Sequence, residues 1–503
     1  MNHASRHTKA HLAWLSLAAS LLAACGGGGA GDSAPSAANN DPTVQAAGVA
    51  GVATVGSTVA DAAKTLRGTV ISTTTAQTLT KKYIDKSVST AEAPLVTNVV
   101  GATSADGNAK CDVQVLRLTY STINPQDAPK TVQATAKASA VLLVPGIGCP
   151  GPWPILSQQH GTSIGKEAVG QEGVNSMAAY YGSQGYVVVM PDYHGYSDSS
   201  LPYHPYLQAE PSGAVVIDAV RAARNWLQQN GFGASLGSKL FLAGTSEGGY
   251  VTMAAQRSME RYFPSEFVIT AVAPTSGPYQ VQATFDQFLS LPDTAEESKT
   301  TGATFIIEGF KQRYGDVYAD PTEAYRAPWA PEMGTLPPLL PSTTTSSDGV
   351  LRKTCKLPYN LKDKATKDTP HYDGCSDAPL LTADYVSSYF SPSGTGGGAK
   401  VRQHAGENNL LQNWKPISKT YVCYGSLDDM ATPNAQAAKT YFQAAGSDTL
   451  LTVEDLETET QPVIAQWMDS QTPLHPPGAG YHGQVEANAC TSWSRHTVFD
   501  TLR

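Results

Sequence analysis

The chain is short of positive charge, and its basic residues are scattered. It has 34 Lys and Arg against 43 Asp and Glu, a formal net charge of −9 at pH 7. The sequence contains no run of basic residues and no basic patch interleaved with aromatic residues. Because an acidic surface repels phosphates, we expect no nucleic-acid partner. Cysteine and histidine also lack zinc-type spacing, so the sequence predicts no metal site and no cofactor.

A hydrophobic run long enough to cross a membrane is also missing. Arg6 and Lys9 precede an apolar stretch over 12–24, which is shorter than the about 20 residues of a membrane helix. This order is typical of an export signal. Leu22-Ala23-Ala24-Cys25 resembles the bacterial lipobox, which implies acylation of Cys25 and a lipid anchor in the cell envelope. Ordinary cleavage and secretion is the alternative.

The predicted signal and lipobox cysteine occupy residues 1–25, and the Gly-, Ala- and Ser-rich residues 26–60 predict a flexible tether. Loss of the signal would leave a net charge of about −11.

Six cysteines follow Cys25, and an even set in an exported chain indicates up to three disulfides. Fifteen pairings are open to six cysteines. The favoured ones join Cys111 to Cys149, Cys355 to Cys375, and Cys423 to Cys490. The alternative for Cys423, which lies in an apolar run, is a buried free thiol.

Short apolar runs alternate with helical patterns along most of the chain. The valine-rich run at 186–191 predicts a strand buried on both faces, and 213–229 predicts an amphipathic helix. Further strands are expected over 113–119, 131–144, 153–158, 239–245, 267–274, 420–425 and 450–456. This alternation predicts an α/β fold with a mostly parallel sheet.

The alternation is interrupted between residues 274 and 420. This interval is too long to be a simple connection between two strands of a compact domain, so we expect an insertion. The interpretation is a core over 61–276 and 416–503 with a cap or lid over 277–415; the alternative is an independent binding domain. Large apolar residues of this segment could line a substrate channel or simply form core: Phe285, Phe288, Phe305, Ile306, Ile307, Phe310 and Tyr314.

Three segments match the pattern G-x-S-x-G, centred on Ser163, Ser235 and Ser246. Ser235 lies in a polar connection that reads as a turn, and no clear helix follows Ser163. Only Ser246 has an apolar strand before it and a small-residue helix start after it. That is the setting in which a tight turn presents a serine hydroxyl to a histidine, so Ser246 is the candidate nucleophile.

The chain from about Arg117 onward resembles the α/β-hydrolase superfamily, and within it the secretory lipase family related to fungal lipase A and its bacterial esterase relatives. The resemblance is carried by PDYHGYS at 191–197, HPYL at 204–207, GTSEGG at 244–249, CYGSLD at 423–428 and GYHG at 480–483. It implies an α/β-hydrolase fold with a cap before the last strands. It also implies a serine hydrolase that cleaves carboxylic esters, lipid-like ones among the candidates, through an acyl-enzyme. A serine peptidase of the same fold and a non-catalytic surface binding protein are the alternatives.

The chemistry requires a carboxylate and a histidine after the last strands. Asp428 stands at a predicted strand end, the position that the resemblance favours, while Asp429 is the alternate acid because it stands four residues before Pro433. Among the histidines that follow, flanking glycines favour His482 over His475 and His496.

Two main-chain N–H donors are needed for the oxyanion that forms during acyl transfer. The amide of Glu247, directly after the candidate nucleophile, is expected to be one. The loop after the third expected strand should provide the other, from Thr162 or, as the close second, Gly161.

Overall fold

The structure is a computed structural model, and it describes residues 44–45, 66–90, 109–163, 166, 173–290, 297–327, 330, 333, 381–458 and 481–503. The predicted signal peptide, Cys25, the pair Cys355 and Cys375, and His475 lie outside these residues.

The described strands are β1 (Val44–Gln45), β2 (Val70–Leu79), β3 (Val113–Thr122), β4 (Ala136–Pro145), β5 (Trp153–Gln159), β6 (Val187–Pro191), β7 (Leu236–Thr245), β8 (Ala271–Thr275), β9 (Thr420–Tyr424) and β10 (Leu451–Asp455). They form one sheet in the order β1-β2-β3-β4-β6-β5-β7-β8-β9-β10. The neighbouring strands from β6 to β10 in this order are parallel, whereas β1 to β4 form an antiparallel run that joins the sheet through β6. The predicted α/β fold with a mostly parallel sheet is confirmed.

Several expected boundaries were wrong. β4 begins at Ala136 rather than 131, because the Thr131 N–H closes a turn on the Ala128 carbonyl. β8 begins at Ala271 rather than 267, because the Phe267 N–H is bonded back to the Phe263 carbonyl at the end of a helix. Val44–Gln45, inside the segment expected to be a tether, pairs with β2.

Helices cover both faces of the sheet. They are α1 (Lys81–Thr90), α2 (Val174–Tyr180), α3 (Ala209–Gln229), α4 (Glu247–Tyr262), α5 (Val281–Ser290), α6 (Glu297–Tyr314), α7 (Pro321–Ala324), α8 (Ala383–Tyr389), α9 (Gly397–Glu407), α10 (Ala431–Ala444), α11 (Ala487–Trp493) and α12 (Asp500–Leu502). Two π-helical turns, Tyr481–Glu486 and Ser494–Phe499, flank α11. Among these helices, none is both long and apolar enough to span a membrane.

The sheet divides the buried side chains into two clusters by the alternation of its strands. On β6, Val187 and Val189 belong to one cluster, and Val188 and Met190 to the other. The first cluster contains the buried residues of α3 and α4, and the second those of α2 and the C-terminal helices. The valine-rich strand is therefore buried on both faces, as its sequence predicted.

Helices α5 to α9 lie between β8 and β9 in the chain, within the segment expected to form a cap. Their apolar residues join the same buried cluster as α3 and α4. Phe285, Phe305, Ile306, Ile307 and Phe310 are at most 1% exposed, so they pack as core. Phe288 and Tyr314 are only partly buried against that core.

Two of the three favoured disulfides are present. Cys111, before β3, is bonded to Cys149, which follows β4. Cys423 of β9 is bonded to Cys490 of α11 and is therefore not a free thiol. The second bond fastens the C-terminal helix to the strand that leads to the candidate acid.

A carboxylate is buried in the inserted helices. Glu308 of α6 is 1% exposed and accepts hydrogen bonds from the phenols of Tyr318, at 2.9 Å, and Tyr325, at 2.7 Å. Burial raises the pKa of Glu308 to about 7, because the loss of hydration outweighs the phenol hydrogen bonds that favour the ionised form.

We expect this carboxyl to make the protein less stable as the pH rises from about 4.5 to about 7. In that window folded Glu308 still holds a proton that the unfolded chain has released, so stability is full below the unfolded pKa and falls toward the folded pKa. The loss should approach about 3 kcal/mol. The measurement is the unfolding free energy of wild type and Glu308→Gln at pH 5, 6, 7 and 8. Identical pH dependence in the two proteins would contradict the assignment.

Candidate active site

Ser246 occupies a strained turn between β7 and α4. Its backbone has φ 61° and ψ −123°, values that non-glycine residues rarely adopt. Its N–H donates to the Thr275 carbonyl at 3.0 Å, and its carbonyl accepts from the Tyr250 N–H at 3.1 Å, which begins α4. A sharp strand-to-helix turn of this kind lifts the side chain clear of the sheet edge.

The turn is possible because three glycines allow backbones to approach closely. A Cβ on Gly248 would lie 2.3 Å from the Gln159 carbonyl oxygen at the end of β5. A Cβ on Gly249 would lie 2.3 Å from the Thr275 carbonyl oxygen, and one on Gly244 would lie 2.5 Å from the Gly248 carbonyl oxygen. No side chain fits at these positions without moving backbone.

The other two G-x-S-x-G segments have different settings. Ser235 ends a short 3₁₀ turn, Gly233–Ser235, before β7. Ser163 is buried in the loop after β5, where its carbonyl accepts from the Tyr196 phenol at 2.7 Å.

His482 lies in the first π-helical turn and faces the candidate acid. Its Nδ1 forms a short contact with a carboxylate oxygen of Asp428. The other oxygen of Asp428 accepts the N–H groups of Met430 at 2.8 Å and Ala431 at 3.0 Å. Asp429 is exposed, and its carbonyl accepts from the Gln287 side chain at 3.2 Å. Of the two aspartates, Asp428 is thus the one placed against the imidazole.

The pair is electrostatically coupled. Burial raises the pKa of the Asp428 carboxyl, but the imidazole of His482 and the local N–H donors outweigh it and hold that pKa well below its usual range. Burial lowers the pKa of His482, and the carboxylates of Asp428 and Glu486 reverse this and raise it well above 6.5. A carboxylate that favours imidazolium is what a general base requires.

A chain of hydrogen bonds links the serine turn to the histidine turn along the carboxyl edge of the sheet. Beyond the bond from Ser246 to β8, the Ser276 N–H donates to the Cys423 carbonyl of β9 at 3.1 Å. The Gly425 N–H then donates to the Glu486 carboxylate at 2.5 Å. Because β7, β8 and β9 are parallel neighbours, Ser246, Asp428 and His482 lie at the same edge.

The loop that carries Gly161 and Thr162 is held by aromatic residues. The His160 ring stacks on Tyr193 with centroids 3.9 Å apart, and its Nδ1–H donates to the Gly161 carbonyl at 2.6 Å. Burial lowers the pKa of His160. The Thr162 hydroxyl lies 2.9 Å from the Tyr206 phenol oxygen. These contacts hold the described part of the loop, up to Ser163, beside β5.

Glu247 contributes a buried side chain in addition to its amide. Its carboxylate lies 2.5 Å from Nε2 of His204, and Nδ1 of His204 lies 2.9 Å from the His194 carbonyl oxygen. His204 belongs to the motif HPYL at 204–207, but no sequence pattern predicts a role for it. Only the fold brings these residues, 43 positions apart, into contact.

The remaining candidates lie elsewhere. His496 is in the second π-helical turn, 3.8 Å from Asp500.

Among the described residues, the side chains of Asp428, His482 and Glu486 place their oxygen and nitrogen atoms within 4.8 Å of one another, a spacing that could hold a metal ion. Since Nδ1 of His482 is already paired with Asp428, we assign the three residues to a hydrogen-bonded cluster.

Comparisons with known proteins agree with this fold. A model of the prolyl oligopeptidase family matches residues 173–287, which include Ser246. The esterase LipA from Xanthomonas oryzae, described as degrading the rice cell wall, is 29% identical with a TM-score of 0.66, and the match covers 87% of this chain and all of LipA. The chain has the α/β-hydrolase fold.

Two solved structures of lower sequence identity share the fold. A putative hydrolase from Legionella pneumophila is 19% identical over 80% of this chain and 97% of its own, with a TM-score of 0.59. Candida antarctica lipase A in its closed state is 15% identical over 84% of this chain and 90% of its own, with a TM-score of 0.51. The α/β-hydrolase fold and the esterase relative support a hydrolase, and the resemblance inferred from the motifs is confirmed at this level.

We expect Gly248→Ala to lose activity by at least about 100-fold, because its Cβ would push α4 and the serine turn away from β5. Gly233→Ala is the matched control, since its Cβ would meet nothing closer than 3.7 Å. The measurement is kcat/KM on a soluble ester together with the melting temperature. Equal activity in the two variants would show that the close approach is not required.

Proposed function

We propose that the chain is a serine hydrolase that cleaves carboxylic esters through an acyl-enzyme. The observation that carries the proposal is the strained Ser246 turn at the same sheet edge as the Asp428–His482 pair. The similarity to an esterase over 87% of the chain supports the ester class.

In the proposed mechanism the Ser246 hydroxyl oxygen attacks the ester carbonyl carbon. Nδ1 of His482 is engaged by Asp428, so Nε2 takes the hydroxyl proton. The N–H of Glu247 and that of Thr162, or Gly161, stabilise the oxyanion. The intermediate collapses, the C–O bond to the leaving group breaks, and His482 returns the proton to the alkoxide.

The second half of the cycle hydrolyses the acyl-enzyme. Water gives a proton to Nε2 of His482 and attacks the acyl carbonyl, and collapse of the second intermediate breaks the bond to Ser246. The serine oxygen recovers its proton from His482, and the carboxylic acid leaves. No electrons are transferred to a cofactor.

The proposed substrate is a carboxylic ester, lipid-like esters included. A peptide substrate is the second candidate, because the prolyl oligopeptidase model matches the segment that holds Ser246, and amide cleavage uses the same machinery. The two candidates differ in the leaving group, an alkoxide against an amine.

We further propose that the protein acts outside the cytoplasm. The two disulfides fit an oxidising compartment, and the N-terminal segment has the order of an export signal with a lipobox cysteine at Cys25. Lipid attachment at Cys25 would hold the enzyme on the cell envelope.

Protein lacking residues 1–25 should hydrolyse p-nitrophenyl esters in a series from acetate to palmitate. Ser246→Ala should lower kcat/KM by about 10⁵-fold or more, because the nucleophile is gone. Ser235→Ala, in the second G-x-S-x-G segment, is the control and should retain wild-type rates. A panel of peptide anilides is run alongside. Turnover confined to the anilides would make the protein a peptidase, and full activity in Ser246→Ala would refute the nucleophile.

A further inference from the structure

A second carboxylate lies behind the Asp428–His482 pair. Glu486 is fully buried, and the π-helical turn places it four residues after His482. One oxygen accepts the Gly425 N–H at 2.5 Å. The other lies 3.1 Å from Nδ1 of His482, the nitrogen that also faces Asp428. A single imidazole N–H therefore has two carboxylate acceptors.

The two carboxylates differ in their surroundings. Asp428 accepts two main-chain N–H groups of its own loop, which favour its ionised form. Burial raises the pKa of Glu486 to about 7; the adjacent Asp428 carboxylate adds to this rise, while His482 opposes it. Asp428 is therefore the permanent anion, and Glu486 gains its charge near neutral pH. Among the described residues, the phenols of Tyr279 and Tyr481 also interact electrostatically with Glu486.

The hydrogen bond from the Gly425 N–H joins the end of β9 to the histidine turn. A purely structural role for Glu486 would account for this bond. The second oxygen is not explained in this way. It approaches the nitrogen whose protonation decides whether Nε2 can act as the base.

We propose that Glu486 is a positioning residue for His482, a second orienting carboxylate that holds the Nδ1–H tautomer and can take over this task in part when Asp428 is lost. The proposal rests on the function proposed above. It predicts that the two carboxylates share the role of the acid. Removal of either one should therefore lower kcat/KM less than removal of the acid does in a triad with one carboxylate.

The test compares Asp428→Asn, Glu486→Gln and the double variant by kcat/KM on p-nitrophenyl butyrate between pH 5 and 9, with melting temperatures. In a triad with one acid, replacement by Asn costs about 10⁴-fold because the wrong tautomer is held. Here Asp428→Asn should lose less than about 10³-fold at pH 8, where ionised Glu486 still accepts the Nδ1–H. The double variant should fall by at least a further factor of about 10.

Glu486→Gln alone should lower kcat by about 10-fold with KM unchanged, and the midpoint of the acid limb should move to lower pH because one anion beside His482 is gone. A lower melting temperature with unchanged kcat and pH profile would overturn the proposal, since that pattern fits a purely structural role.

If Glu486→Gln does not fold, Asp428→Asn decides by itself: a loss of less than about 10³-fold supports the proposal, and a larger loss overturns it. Ser246→Ala is included throughout. Full activity in that variant would refute the proposed function instead, so the two failures are distinguishable.

Discussion

The site depends on the close approach of the start of α4 to the ends of β5 and β8, beside the turn that carries Ser246. Gly248 contacts the end of β5 and Gly249 contacts the end of β8 at distances that no side chain would permit. The strained backbone of Ser246 persists because these contacts and the bond to Thr275 fix both sides of the turn. The neighbouring parallel strands then bring the acid and the histidine to the same edge.

Buried charge surrounds this edge. Glu247 is paired with His204 on the side of the loop that follows β5, and Glu486 lies with Asp428 around His482 on the other side. Buried carboxylates are costly unless they are partnered, and each of these carboxylates has a hydrogen-bonding partner. The Cys423–Cys490 bond holds the second group together by joining β9 to the helix after the histidine turn.

Much of the fold could be predicted from the sequence, because strands buried in a parallel sheet are continuous apolar runs. Val187–Pro191 and residues 240–243 are two such runs. The Thr-rich strand β2 was missed, because its polar residues lack a clear alternation. The Ser246 turn was predicted from the strand, glycines and helix that follow one another in the sequence. Glu486 was not predicted, since a glutamate four residues after a histidine is also common on an exposed helix surface. The pairing of Glu247 with His204 was not predicted either, because it arises only from a tertiary contact.

The central claim is that Ser246 is the one activated nucleophile of the chain. The most direct measurement is labelling of the wild-type protein with a biotin fluorophosphonate, followed by intact mass and peptide mapping. The account predicts a single adduct, on the peptide that contains Ser246, and none in Ser246→Ala. An adduct on Ser163 or Ser235, or an active preparation that takes up no label, would contradict it.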